Sequence, residues 1–136
     1  MTDNELCKVA IDAMKNSYAP YSNYTVGAAL LTGSGKIYTG CNIENAAYSP
    51  SVCAERVAFF NAISSGEKDF VSIAVAGGKN GNVVGSFPPC GVCRQVMAEF
   101  CAQEFNVFIV TGSDTYKKYS LFELLPEAFT PKNISE

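Results

Sequence analysis

The stretch "FVSIAVAGG", residues 70–78, is an apolar run that ends on a pair of glycines. Its length and its β-branched residues fit a buried strand. On its N-terminal side, residues 52–64 read as a helix, and Gly66 is placed to stop it. On its C-terminal side, "KNGNVVGSFPP" reads as a long loop, residues 90–102 as a second helix, and "NVFIVTG" as another strand.

Toward the N-terminus, "TVGAALLTGSGKIYTGCNI" reads as two strands joined by a Gly-Ser-Gly turn. Residues 3–17 read as a helix, with Thr2 and Glu5 at capping-box spacing and Leu6, Val9, Ala10, Ala13 and Met14 at helical intervals. Pro20 makes "YAPYSNY" a loop. Beyond the last helix, "TGSD" is too short for a parallel crossover. "NVFIVTG" and "TYKKYSLFEL" are therefore expected to pair antiparallel, with a short helix near 121–125. Helices crossing between strands predict an α/β fold, a three-layer α/β/α sandwich with a mixed five-stranded sheet. Residues 1–136 read as a single domain, with no repeat or linker.

The net charge is −3, and the lysines are scattered singly or as one pair. A nucleic-acid backbone as main partner is not expected, because such binding needs clustered positive charge. No apolar run is long enough to span a membrane. "MTDNELCKVA" lacks the basic start and apolar run of a signal peptide, so a cytoplasmic location is expected. There the six cysteines read as thiols or metal ligands rather than disulfides. The chain has no histidine, so a zinc site must use thiolates or carboxylates, and proton transfer must use another group.

Chemistry concentrates at two helix starts, "SVCAERVAFF" (51–60) and "PPCGVCRQV" (88–96), which also hold the two arginines, Arg56 and Arg94. Cys90 and Cys93 are three apart and share a helical face. Consecutive helices start at one edge of such a sheet, so Cys53 is expected to join them. Three ligands and one open position is the layout of catalytic zinc. A closed structural site, with Cys41 as the nearest fourth thiol, and a redox Cys-x-x-Cys are the other readings. Three thiolates leave the metal with net negative charge. Arg56, on the same face as Cys53, is placed to draw electron density from the sulfurs, and Arg94 beside Cys93 is a second candidate. Glu55 lies between Cys53 and Arg56, placed to take a proton from a metal-activated water; the ordinary alternative is a first-turn glutamate favoured by the helix dipole.

"CAE" followed by "PCGVCRQV" resembles the zinc-binding motif of the cytidine deaminase family, in the variant with cysteine where relatives have histidine. "APYSNYTVGAAL" (19–30), "GCNIENAAYS" (40–49) and "ELLPEAF" (123–129) extend the resemblance to the small free-nucleoside members. The resemblance implies one zinc per chain on Cys53, Cys90 and Cys93, with Glu55 as proton shuttle. It implies Asn42 and Glu44 as partners of the ribose 3′-hydroxyl, Ala54 as a further substrate contact, and a base-stacking aromatic at Tyr24, where the family usually has Phe. Ala46, Tyr48 and Phe129 correspond to positions contributed across a subunit boundary, since small members form homotetramers. The implied reaction is deamination of cytidine and deoxycytidine to uridine and deoxyuridine, in pyrimidine salvage. Another cytosine nucleoside, such as a nucleoside antibiotic, is the alternative substrate; a zinc-stabilised or redox module without catalysis is the alternative of a different class. Pro50 is a departure that stiffens the approach to the metal helix.

Overall fold

The computed structural model describes residues 1–135. In chain order it contains α1 (Asp3–Ala13), β1 (Thr25–Thr32), β2 (Ile37–Cys41), α2 (Ala54–Ser64), β3 (Phe70–Lys79), β4 (Asn82–Val83), α3 (Gly91–Phe100), β5 (Asn106–Val110), β6 (Tyr116–Ser120) and α4 (Leu121–Leu124). The sheet runs β2-β1-β3-β5-β6. Among the strands of the described residues, only β3 and β5 pair in parallel; β5 and β6 pair antiparallel, as the short "TGSD" connection requires.

Alternation along the strands separates two apolar layers. Ala28, Leu30, Ile73, Val75, Val107 and Ile109 face one way, against Ala54, Ala58, Phe59 and Ala62 of α2 and Cys93 and Met97 of α3. Ala29, Ala74, Ala76, Phe108 and Val110 face the other way, against Leu6, Cys7, Ala10 and Met14. The three layers are therefore α1, the sheet, and α2 with α3. The metal-type cysteines open the two helices that share a layer.

Two boundaries differ from expectation. The first helix is capped by the Thr2–Glu5 box but is α-helical only to Ala13, tightening to a 3₁₀ turn at Met14–Asn16. The α3 helix ends at Phe100, and Cys101 is already extended. The sheet also gains a sixth strand. The "KNGNVVGSFPP" segment begins as a tight hairpin: Asn80 and Gly81 both have positive φ (53° and 77°), and β4 pairs back on β3. Asn-Gly suits such a two-residue turn because both central positions need positive φ.

The start of α2 is drawn tightly onto β2. A Cβ on Gly40 would stand 2.3 Å from the Ala54 carbonyl oxygen, so only glycine lets the helix start this close to the strand.

Candidate active site

Cys53 and Cys90 are the N-cap residues of α2 and α3, and neither side chain makes a capping hydrogen bond. Both thiols are thus free to turn toward each other, next to helix ends that carry partial positive charge. Cys53 Sγ and Cys90 Sγ lie 3.7 Å apart, and the three sulfurs of Cys53, Cys90 and Cys93 lie within 4.8 Å of one another. Tetrahedral zinc with Zn–S bonds of about 2.3 Å sets its sulfurs about 3.8 Å apart. The donor set therefore fits zinc in chemistry and in spacing. Cys7 lies in the opposite layer, and among the described residues neither Cys41 nor Cys101 joins the group.

The thiols differ in acidity. Cys53 is pulled down to about 5, first by the hydrogen bond from the Cys93 thiol and then by Arg56. The Cys93 thiol, holding that bond, is pushed up. Burial, with the Asp3 charge adding to it, pushes Cys7 up to about 11, and burial alone pushes Cys101 up to about 12.

Arg56 donates from Nη2 to Cys53 Sγ at 3.5 Å, as its three-residue spacing predicts. Its buried Nε has no partner among the described residues. Arg94 behaves differently. Its Nε donates to the Pro89 carbonyl and its Nη1 to the Leu124 carbonyl, both at 2.7 Å. One position after Cys93, it points about 100° away around the helix, and so it reaches backbone rather than sulfur.

Glu55 is 4% exposed. Burial, reinforced by the Cys53 charge, pushes its carboxyl up to about 7. Near neutral pH it can both take and give a proton, the property a shuttle needs. It lines a cavity of about 370 Å³ together with Asn42, Glu44, Cys53, Ala54 and Cys90, within the range of small-molecule sites.

The polar pair lining this cavity, Asn42 and Glu44, organises the "YSNY" loop. Asn42 accepts from the Val26 N–H at 2.9 Å and donates to the Tyr24 carbonyl at 2.8 Å. Glu44 accepts from the Tyr21 and Ser22 N–H groups and from the Ser22 hydroxyl. The Ser22 hydroxyl is the main cause holding the Glu44 carboxyl below its usual range. Tyr24 does not line the cavity. Its ring rests on Phe87 with centroids 5.6 Å apart, under Lys79 Nζ at 5.1 Å. Phe87 itself lines the cavity, a residue the sequence reading missed. Ala46, Tyr48 and Phe129 stay outside this chain's cavity; Tyr48 is 72% and Phe129 61% exposed.

The family model described as the cytidine and deoxycytidylate deaminase zinc-binding region matches residues 1–109, which include the three cysteines and Glu55. The chain belongs to this family. It is 46% identical over 123 residues to a cytidine deaminase of Sporosarcina psychrophila, covering 90% of this chain and 88% of the relative. It is 44% identical over 131 residues to that of Halalkalibacterium halodurans, covering 96% of both. Among solved structures, the cytidine deaminase of Burkholderia pseudomallei superposes with a TM-score of 0.86 at 43% identity, covering 95% of this chain and all of that one. That of Mycobacterium tuberculosis gives 0.80 at 35% identity, covering 95% and 98%.

Proposed function

We propose that this chain hydrolyses cytidine and deoxycytidine to uridine and deoxyuridine with release of ammonia, as a step of pyrimidine salvage. The observation that carries the reading is the cavity. A buried carboxylate with a pKa near neutrality shares one small-molecule-sized space with Cys53 and Cys90 of the three-thiol group and with the polar pair Asn42 and Glu44. Cys53, Cys90 and Cys93 would hold the zinc, which would supply a Lewis acid able to acidify a water.

Glu55 would take a proton from the attacking water and deliver it to N3 of the cytosine, making C4 electrophilic. It then carries the second proton to the amino group, which departs as ammonia. Arg56, hydrogen-bonded to Cys53 Sγ, offsets the negative charge of the thiolates. Asn42 and Glu44 hold the ribose 3′-hydroxyl, which both nucleosides carry. Ala54 packs beneath the substrate at the start of α2, and Tyr24 supports the base side.

The whole chain acts as one domain in a homotetramer, with Ala46, Tyr48 and Phe129 completing a neighbour's site. The exposure of Tyr48 and Phe129 on the isolated chain supports this. A cytoplasmic location, with no nucleic-acid or membrane partner, belongs to the same proposal; no helix among the described residues is long and apolar enough to cross a membrane.

The test is the fall in ultraviolet absorbance as purified protein deaminates cytidine, run against a panel of cytosine compounds. Cytidine left intact while another cytosine nucleoside is consumed would replace the substrate assignment. Sedimentation of the active protein as a monomer would remove the shared site.

A further inference from the structure

The cavity has an aromatic wall that comes from an unexpected place. After the Asn80–Gly81 turn the chain folds back over the end of β3, and the Val84 N–H donates to the Gly77 carbonyl at 3.1 Å. This return brings Phe87 down onto Gly77. A Cβ at Gly77 would stand 2.3 Å from Phe87 Cγ, 2.4 Å from Cδ1 and 2.8 Å from Cβ; no other residue's atoms are among the three it would meet first. The ring thus lies flush on the bare backbone of a strand. It is half-buried, lines the cavity, and is backed by Tyr24. Gly77 pairs with Val26, which lines the same cavity, and Cys90 follows Phe87 by three residues. Phe87 therefore stands between the sheet and the thiol end, beside the space a ring must occupy for Glu55 to reach it.

We propose that Phe87 positions the pyrimidine ring, and that residue 77 is glycine so that the Phe87 ring can stand there. The inference rests on the nucleoside-deaminase reading above. An aromatic wall offers contact to the flat base without competing for its hydrogen bonds. Its loss removes binding shared by ground and transition states, which moves KM more than kcat.

The test is a mutant cycle read by cytidine kinetics, uridine binding and zinc content. Phe87→Ala should raise KM and the uridine Kd about tenfold, in line with base–aromatic stacking, with zinc content unchanged. Phe87→Leu, which keeps volume without the ring, should retain the fold and show the same direction. Gly77→Ala should also raise KM, because its methyl displaces the ring. In the Phe87→Ala background the same Gly77→Ala change should cost much less, because the approaches to Cγ and Cδ1 are gone and only the 2.8 Å approach to the residue 87 Cβ must relax. An active wild type whose KM and uridine Kd are unmoved by Phe87→Leu overturns this inference alone. Additive effects of the two substitutions overturn the role of Gly77. A wild type inert toward cytidine overturns the functional reading and this inference with it.

Discussion

The two helix starts carry nearly the same residues and do different work. At α2, Cys53, Glu55 and Arg56 form an electrostatic group: an acidified thiol, a buried carboxyl near neutrality, and a guanidinium on the sulfur. At α3, Cys90 and Cys93 supply sulfur, while Arg94 clamps two carbonyls, Pro89 just before the cap and Leu124 at the end of α4. One start is tuned and the other is braced. The difference follows from spacing alone: three residues after a cysteine an arginine returns to the same helical face, and one residue after it does not. Adjacency to a ligand in sequence is therefore a poor guide to contact with it.

The largest effect should come from removing a sulfur shared by both starts. Cys93→Ala should lose zinc and, with it, activity and several degrees of thermal stability, since metal-binding free energy is folding free energy. Elemental analysis showing full zinc content would remove Cys93 from the ligand set. Next comes Glu55→Gln. It should keep zinc and fold while turnover falls about 10²–10⁴-fold, the usual worth of a positioned acid–base group. Near-normal turnover would return Glu55 to the role of a first-turn glutamate, and the tuned start would lose its chemistry.

The tuned start was the legible one. The spacing of Cys53, Cys90 and Cys93 and the absence of histidine pointed to a thiolate site, and the layered α/β order brought the two helices together. The antiparallel last strands followed from a connection too short to cross over. The missed parts share a cause: they depend on how a loop folds back. Asn80–Gly81 was a hairpin signal, but its second strand is only two residues long, so no alternation marked it. Phe87 had no periodic pattern to place it, and only the bare surface of Gly77 shows where its ring goes. Tyr24, expected on the base side, rests its ring on Phe87 and under Lys79, so its support of the base would pass through Phe87. The Arg94 direction was available from helical geometry, but nothing in the sequence announced the Leu124 carbonyl, thirty residues away, as its partner.

A smaller effect should separate the arginines. Arg56→Gln removes a charged donor from Cys53, and hydrogen bonds to charged groups are worth about 1.5–3 kcal/mol. Turnover should fall about thirtyfold, roughly 2 kcal/mol in the barrier, with stability little changed. Cys53→His in that background takes away one negative charge while keeping a zinc ligand, so part of the activity should return. A double variant no better than Arg56→Gln alone would show that Arg56 acts by something other than charge.

The smallest effect on chemistry, and the sharpest contrast, is expected at Arg94. Its two carbonyl bonds tie the approach to Cys90 to the end of α4, so it should matter to stability and not to turnover. Arg94→Gln loses both bonds from a half-buried site. The net cost should be about 2 kcal/mol, below the sum of two charge-assisted bonds because water partly replaces the guanidinium. For a chain of this length that is a fall in melting temperature of about 6 °C. Zinc content at saturating metal and turnover per folded molecule should stay within about twofold of wild type. Arg94→Lys should recover little, since a single ammonium cannot span two carbonyls as a planar fork does. The measurement is a pair of melting curves and a pair of rate curves for Arg56→Gln and Arg94→Gln. If both arginines lower turnover and leave the melting temperature alone, the two helix starts are alike after all. If the losses divide as described, the second arginine is a brace, and its place next to a metal-ligand cysteine is incidental to the chemistry.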